Sequence, residues 1–243
     1  ISFKNHKQNL ENKKNIEFLN PAETKDGFYA ETGWTSINNK ILVPTKESMW
    51  SVVGNNVLSE NKPITLEWNN GEGIIFKKII ELDDKFLFKI KQQVQNNTNK
   101  PINLYPYAQL TRNNIPEDIQ NFYISHEGFI GVFDEELKED DYDDIKEKKI
   151  IREANEGWLG ITDKFWVMAL VPAKGENFKA SFLYNDSFKA NYILNNPTTV
   201  NPSSSSSNDI KLFVAAKEVE TIDSYAADEN INKFDLVIDW GWF

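Results

Sequence analysis

Residues 64–112 read ITLEWNNGEGIIFKKIIELDDKFLFKIKQQVQNNTNKPINLYPYAQLTR, and their alternation decides the fold class. Ile64, Leu66 and Trp68 alternate with other residues, Asn69 to Gly73 supply turn chemistry, Ile74 to Leu82 runs on, and Asp83-Asp84 turns again. Phe86, Phe88, Ile90 and Val94 then share one face while Lys85, Lys89, Lys91 and Gln93 share the other. Apolar residues at a period of two, with turn residues between the runs, mark half-buried antiparallel strands. After the polar turn at Asn96 to Lys100, Pro101 opens a further strand through Leu104, Tyr105 and Tyr107 to Arg112.

The same reading extends outward. Gly157 to Pro172, Phe178 to Tyr184 and Phe188 to Val200 are expected as strands. Near the C-terminus, Ala215, Val219, Ile222 and Ala226 fall at helical spacing and predict one amphipathic helix that packs on a sheet. Phe234, Leu236, Ile238, Trp240 and Trp242 then alternate with Asp235, Val237, Asp239 and Gly241, which predicts a closing strand. Three stretches read as peripheral: residues 1–26 as a polar tether, Asp134 to Lys149 as a solvated loop or short exposed element, and Ser203 to Ser207 as the tip of a long connection. The expected division is a tether over 1–26, a β domain over 27–214, and a helix with closing strand over 215–243.

Composition removes several kinds of chemistry. A chain of 243 residues with 40% hydrophobic content can bury a sizeable core. A formal net charge of -10 opposes attraction to phosphate backbones, so no nucleic-acid partner is expected. The absence of cysteine excludes disulfides, thiolate nucleophiles and zinc ribbons, and His6 and His126 are the only histidines, so neither metal nor cofactor is expected. The longest apolar stretch, Phe165 to Ala173, falls short of the about 20 residues a spanning helix needs. A start at Ile1 and an end at Trp240-Gly241-Trp242-Phe243 suggest a piece of a longer protein, with any membrane segment outside these ends.

Acid-base catalysis of the glycosidase kind would draw on Glu127 beside His126, or on Asp163 within its aromatic run. No phosphate loop, nucleophile elbow or zincin helix accompanies them, and His126 is expected instead as a hydrogen-bonded residue at a strand start. Trp34, Trp50, Trp68, Trp158 and Trp166 suit core or sheet-face packing. Trp240 and Trp242, at the chain end, suit a membrane-water interface.

Four ordered blocks carry a family resemblance: Asn103 to Ala108 (NLYPYA), Ser125 to Val132 (SHEGFIGV), Gly157 to Trp166 (GWLGITDKFW) and Phe234 to Phe243 (FDLVIDWGWF). From about Trp34 onward the chain resembles the large periplasmic domain of the YidC membrane protein insertase family. That resemblance implies a mainly β fold, a β-supersandwich of two large antiparallel sheets with mutarotase-like architecture, and a C-terminal helix packed on it. It also implies a transmembrane helix before Ile1 and, beyond Phe243, an amphipathic helix and a five-helix membrane core. In the family that core inserts and folds proteins of the bacterial inner membrane, alone or with the Sec translocon.

The implied partners are the translocon, its accessory SecD and SecF subunits, and nascent membrane proteins. The domain itself would lie in the periplasm as a non-catalytic docking and positioning module. Its expected membrane or partner interface is the closing motif, Phe234, Leu236, Ile238, Trp240, Trp242 and Phe243. Two rival readings stay open: a carbohydrate- or peptidoglycan-binding sandwich, in which exposed Trp or Tyr would stack on sugar rings, and a mutarotase-like enzyme that would need Glu127, His126 or another acid pair in one cleft.

Overall fold

A computed structural model describes residues 2–7, 15–37, 40–116 and 125–238. In chain order the first strands are β1 (Ser2–Lys7), β2 (Asn15–Glu17), β3 (Phe28–Thr35), β4 (Ser51–Val53), β5 (Ile64–Asn69) and β6 (Ile74–Leu82). They are followed by β7 (Leu87–Asn96), β8 (Ile102–Arg112), β9 (Gly128–Phe133), β10 (Glu136–Asp140), helix α1 (Tyr142–Glu147) and β11 (Ile150–Ala154). The last are β12 (Gly157–Thr162), β13 (Trp166–Val171), β14 (Phe178–Asn185), β15 (Ser187–Leu194), β16 (Thr198–Val200), β17 (Ser204–Ala216), helix α2 (Val219–Asp228) and a 3-10 turn (Phe234–Val237).

The larger sheet runs β10-β9-β12-β13-β17-β7-β6-β5-β4, and every pairing in it is antiparallel. The smaller sheet runs β11-β14-β15-β8, with β3 on the other side of β8 and β16 continuing the β15 side of that strand. The inner faces meet through aromatic rings: Phe129 lies 5.0 Å from Phe182, and Phe133 lies 6.4 Å from Phe178. The chain is therefore a β-supersandwich, as the family resemblance implies, built from the antiparallel strands that its alternation predicts.

Burial follows the pleat. Along β7 the even-numbered residues from Phe88 to Asn96 are buried, Lys89 and Lys91 are exposed, and Gln93 and Gln95 are intermediate. By contrast, β9 and β13 are buried at every position. Continuous burial means that both faces of the larger sheet are covered there. The smaller sheet covers one face and the C-terminal segment covers the other. Pro106 lies in β8 opposite the gap between β15, which pairs as far as Tyr107, and β16, which pairs from Leu104. On its other side Pro106 stands opposite Trp34 of β3.

The structure departs from the sequence-based expectations in four places. The serine run forms the start of β17, whose Ser204 to Ser207 pair with Asn96 to Gln93, and only Ser203 sits in a turn, with φ 55°. Ladder bonds are made by the backbone, so a polar run pairs wherever a neighbouring strand extends far enough. The acidic run forms β10 and α1, short and mostly exposed as expected, but it is anchored by buried Tyr142 and Ile145, and its buried Asp140 is balanced by Arg152 at 2.8 Å.

The closing motif is a 3-10 turn rather than a strand over Phe234–Val237, entered through Lys233 at φ 51°. Three-residue spacing places Phe234 and Val237 on one side, and both are buried. Finally, Ala215 belongs to β17, and α2 starts later, burying Thr221, Ile222 and Tyr225. At the other end of the chain β1 and β2 pair within the first 26 residues, and Phe18 is buried 5.1 Å from the Trp166 ring.

Candidate functional site

Two features stand out: the C-terminal segment on the outer face of the larger sheet, and a cleft between the sheets. Helix α2 lies over β7 and β17. The Tyr225 ring packs edge-on to Phe213 at 5.5 Å, and its hydroxyl donates to Asp83 Oδ2 at 2.6 Å. Burial, followed by that bond to an acceptor that is itself acidic, raises the Tyr225 pKa, so the phenol stays a donor. At the helix end, Glu229 receives Lys89 at 2.6 Å and Lys211 at 3.0 Å. Burial opposes its ionisation, but the two lysines outweigh it and lower the carboxyl pKa.

Phe234 sits between Trp158 and Phe213, with both ring centroids 5.4 Å away and both contacts edge-on. Trp158 in turn donates its indole N–H to Asn232 O at 3.2 Å, and Lys233 reaches Glu135 Oε2 at 2.8 Å. Of the expected interface residues, Phe234 is fully buried and faces the core, while Leu236 and Ile238 are half-buried and pack against it. Trp240, Trp242 and Phe243 lie outside the described residues.

The acid-base candidates are occupied in other ways. Asp163 accepts both guanidinium nitrogens of Arg112, at 2.6 and 3.1 Å. His126 Nε2 bonds Phe129 O at 2.9 Å just before β9, as expected of a strand-start histidine. Among the described residues no group of three or more His, Cys, Asp or Glu could hold a metal ion, and no helix is long and apolar enough to cross a membrane. Trp34, Trp158 and Trp166 are buried, and Trp50 and Trp68 half-buried, as expected.

The cleft encloses about 390 Å³ between β3 and the β5 to β7 end of the larger sheet. Its notable member is Lys78, which shares the inward face of β6 with Phe76 and Ile80. Lys78 stands in register with Leu66 on β5 and Gln92 on β7, and Gln92 with Asn208 on β17. The ammonium donates to Thr32 O and lies 5.2 Å from the Trp50 ring centroid, while Gln92 Nε2 donates to Gly33 O at 3.3 Å. Burial pulls the Lys78 pKa down to about 8, with Glu31 opposing. Composition gave no hint of this site. One local signal was available: a lysine in an inward register otherwise filled by Ile74, Phe76, Ile80 and Leu82.

Comparison with known proteins gives a consistent picture. The family described as YidC periplasmic domain matches residues 1–243. The chain is 46% identical over 242 residues to the membrane protein insertase YidC of Pelagibacter ubique (strain HTCC1062), covering 100% of this chain and 43% of that relative. It is 34% identical over 264 residues to the membrane protein insertase YidC of Methylorubrum extorquens (strain PA1), covering 100% and 42%. The chain thus spans less than half the length of these relatives. Among solved structures, a galactose mutarotase related enzyme from Lactobacillus acidophilus aligns at TM-score 0.48 and 10% identity, over 68% of this chain and 70% of that one.

Proposed function

The chain belongs to the YidC periplasmic-domain family, and on that premise we propose that it serves within a YidC-type insertase as a non-catalytic docking and positioning module. The domain stands in the periplasm, attached to the bacterial inner membrane through flanking segments. Its partners are the Sec translocon with SecD and SecF, and, through the membrane core, nascent membrane proteins. The observation that carries this reading is the clamped C-terminal segment. Helix α2 and residues 231–238 are fixed to the sandwich by Tyr225, Glu229 and Phe234 immediately before the tryptophan-bearing end.

A segment held this firmly sets the position of whatever follows it. Phe234 is the anchor, Leu236 and Ile238 continue the contact, and Trp240, Trp242 and Phe243 couple the domain to the membrane or a partner. Aromatic side chains with a polar edge suit that boundary.

The test uses the Pelagibacter relative with this chain in place of its matching segment. Trp240→Ala with Trp242→Ala is expected to impair insertion of a dependent membrane protein, while the isolated 243-residue chain melts within about 2 °C of the parent. Normal insertion together with a large drop in melting temperature would make these residues structural and overturn the coupling role.

A further inference from the structure

The cleft beside β3 has three properties that together define a ligand. Its floor is apolar and elongated. Leu66, Ile80, Ile90, Phe88 and Leu212 come from four successive strands of the larger sheet, so the floor spans three strand spacings, about 14 Å. A slot of this length and a volume of about 390 Å³ suits an extended chain, and the volume lies within the range of small-molecule sites. Second, the floor carries Lys78 on β6, beside Leu66 and two strand spacings, about 10 Å, from the strand of Leu212, a cation on an inward-facing register where apolar packing would be more stable. An ammonium has three protons to donate, and the hydrogen bond it makes among the described residues goes to the neutral Thr32 carbonyl.

Third, the charges around the ammonium leave it available to an anion. Glu31 on β3 faces it but is held by Gln109 Nε2 at 3.1 Å. Tyr107 on β8 also lines the cleft, and its phenol pKa is raised by burial and by Glu31, so it remains a neutral donor. Lys46 and Lys77 also line the cleft and are paired with Glu47 at 3.7 Å and Glu67 at 3.0 Å. In a chain of net charge -10, Lys78 is thus an inward-facing cation in an acidic molecule.

We propose that the cleft binds a single-chain fatty carboxylate, its carboxylate on Lys78 and its alkyl chain laid across Ile80, Ile90, Phe88 and Leu212. This goes beyond the positioning role and stands or falls independently of it. Gly33 is part of the design, because a Cβ there would meet the Tyr107 ring at 2.8 Å and displace that donor.

The test is titration of the 243-residue chain with decanoate, below its aggregation concentration, by calorimetry and by quenching of Trp50 fluorescence. Saturable binding of one decanoate per chain is expected, about tenfold tighter than decanol of the same chain length. Lys78→Met should erase that preference. Affinity for decanoate should fall as pH rises from about 7 to about 9.5, as the ammonium loses its proton. No saturable binding, or equal binding of decanoate and decanol by the parent chain, would overturn the proposal, and so would an unchanged preference in a folded Lys78→Met chain. The parent-chain comparison decides the matter by itself should that variant not fold.

Discussion

Both arginines of this chain are spent inside it. Arg112 lies 4.7 Å from the Phe28 ring and grips Asp163, while Arg152 lies over Phe133 and Phe182 and pairs with Asp140. Each is largely desolvated, so each carboxylate is a counterion and not a free acid. Asp163→Ala should therefore cost about 3–5 kcal/mol, because it strands the Arg112 charge; urea unfolding measures it. Replacing Arg112 and Asp163 together by Met and Leu should recover much of the loss.

Lys78 is the opposite case. Its folded pKa of about 8 lies below its ordinary value, so its charge is disfavoured on folding, and parent stability should rise with pH from about 8 to about 10.5. Lys78→Met should raise stability at pH 7 by about 1–3 kcal/mol, a gain that shrinks across that same window. Lys78 was legible in the sequence as a break in an inward register. The Arg112–Asp163 pair was not, since its members are 51 residues apart and only the packing of β8 against the β12–β13 hairpin brings them together.

At the scale of elements, the C-terminal segment depends on one ring and one carboxylate. Phe234→Ala should cost about 3–5 kcal/mol through the cavity left between Trp158 and Phe213. Red-shifted Trp158 emission would report its exposure. Glu229 has a lowered pKa in the folded chain, so its contribution is present above its unfolded value and is lost as pH falls through the folded one. Hydrogen exchange of α2 should accordingly speed up in acid, and Glu229→Gln should produce the same effect at pH 7, at a cost of about 1 kcal/mol.

The existence of the helix was readable from its spacing, but its start and buried face were not: Ala215 lies in β17, Val219 is exposed, and Thr221 and Tyr225 join Ile222 against the sheet. The closing motif was not readable, because Phe234, Leu236 and Ile238 satisfy a period of two while Phe234 and Val237 satisfy a period of three. The left-handed Lys233 and the socket formed by Trp158 and Phe213 select the second. The serine run misled for a related reason: its side chains carry no strand signal, and the ladder from Asn96 to Gln93 supplies the order.

For the whole molecule, alternation in residues 64–112 was enough to specify antiparallel strands, whereas the apolar run at Phe165 to Ala173, read only against the length of a membrane span, holds β13, which is covered on both faces from Trp166 to Val171. Sequence periodicity cannot show which strands become neighbours across large separations, such as β7 with β17. The sandwich and its C-terminal segment share one core, in which Phe213 contacts both Tyr225 and Phe234, so the segment should move with the sheets as one body.

A cross-link between the sheet and the helix detects any movement of the segment away from the sheets. Lys85 and Ser224 approach to 3.4 Å between sheet and helix, and the chain has no cysteine of its own. Lys85→Cys and Ser224→Cys would be joined by a short bis-methanethiosulfonate linker, which forms a disulfide with each thiol and is cleaved by a reductant, in the Pelagibacter relative carrying this chain, with any other cysteines removed. Insertion of a dependent membrane protein is expected at the uncross-linked rate. Loss of insertion on linking, restored when the linker is cleaved, would show that the helix must leave the sheet and would contradict a fixed positioning role.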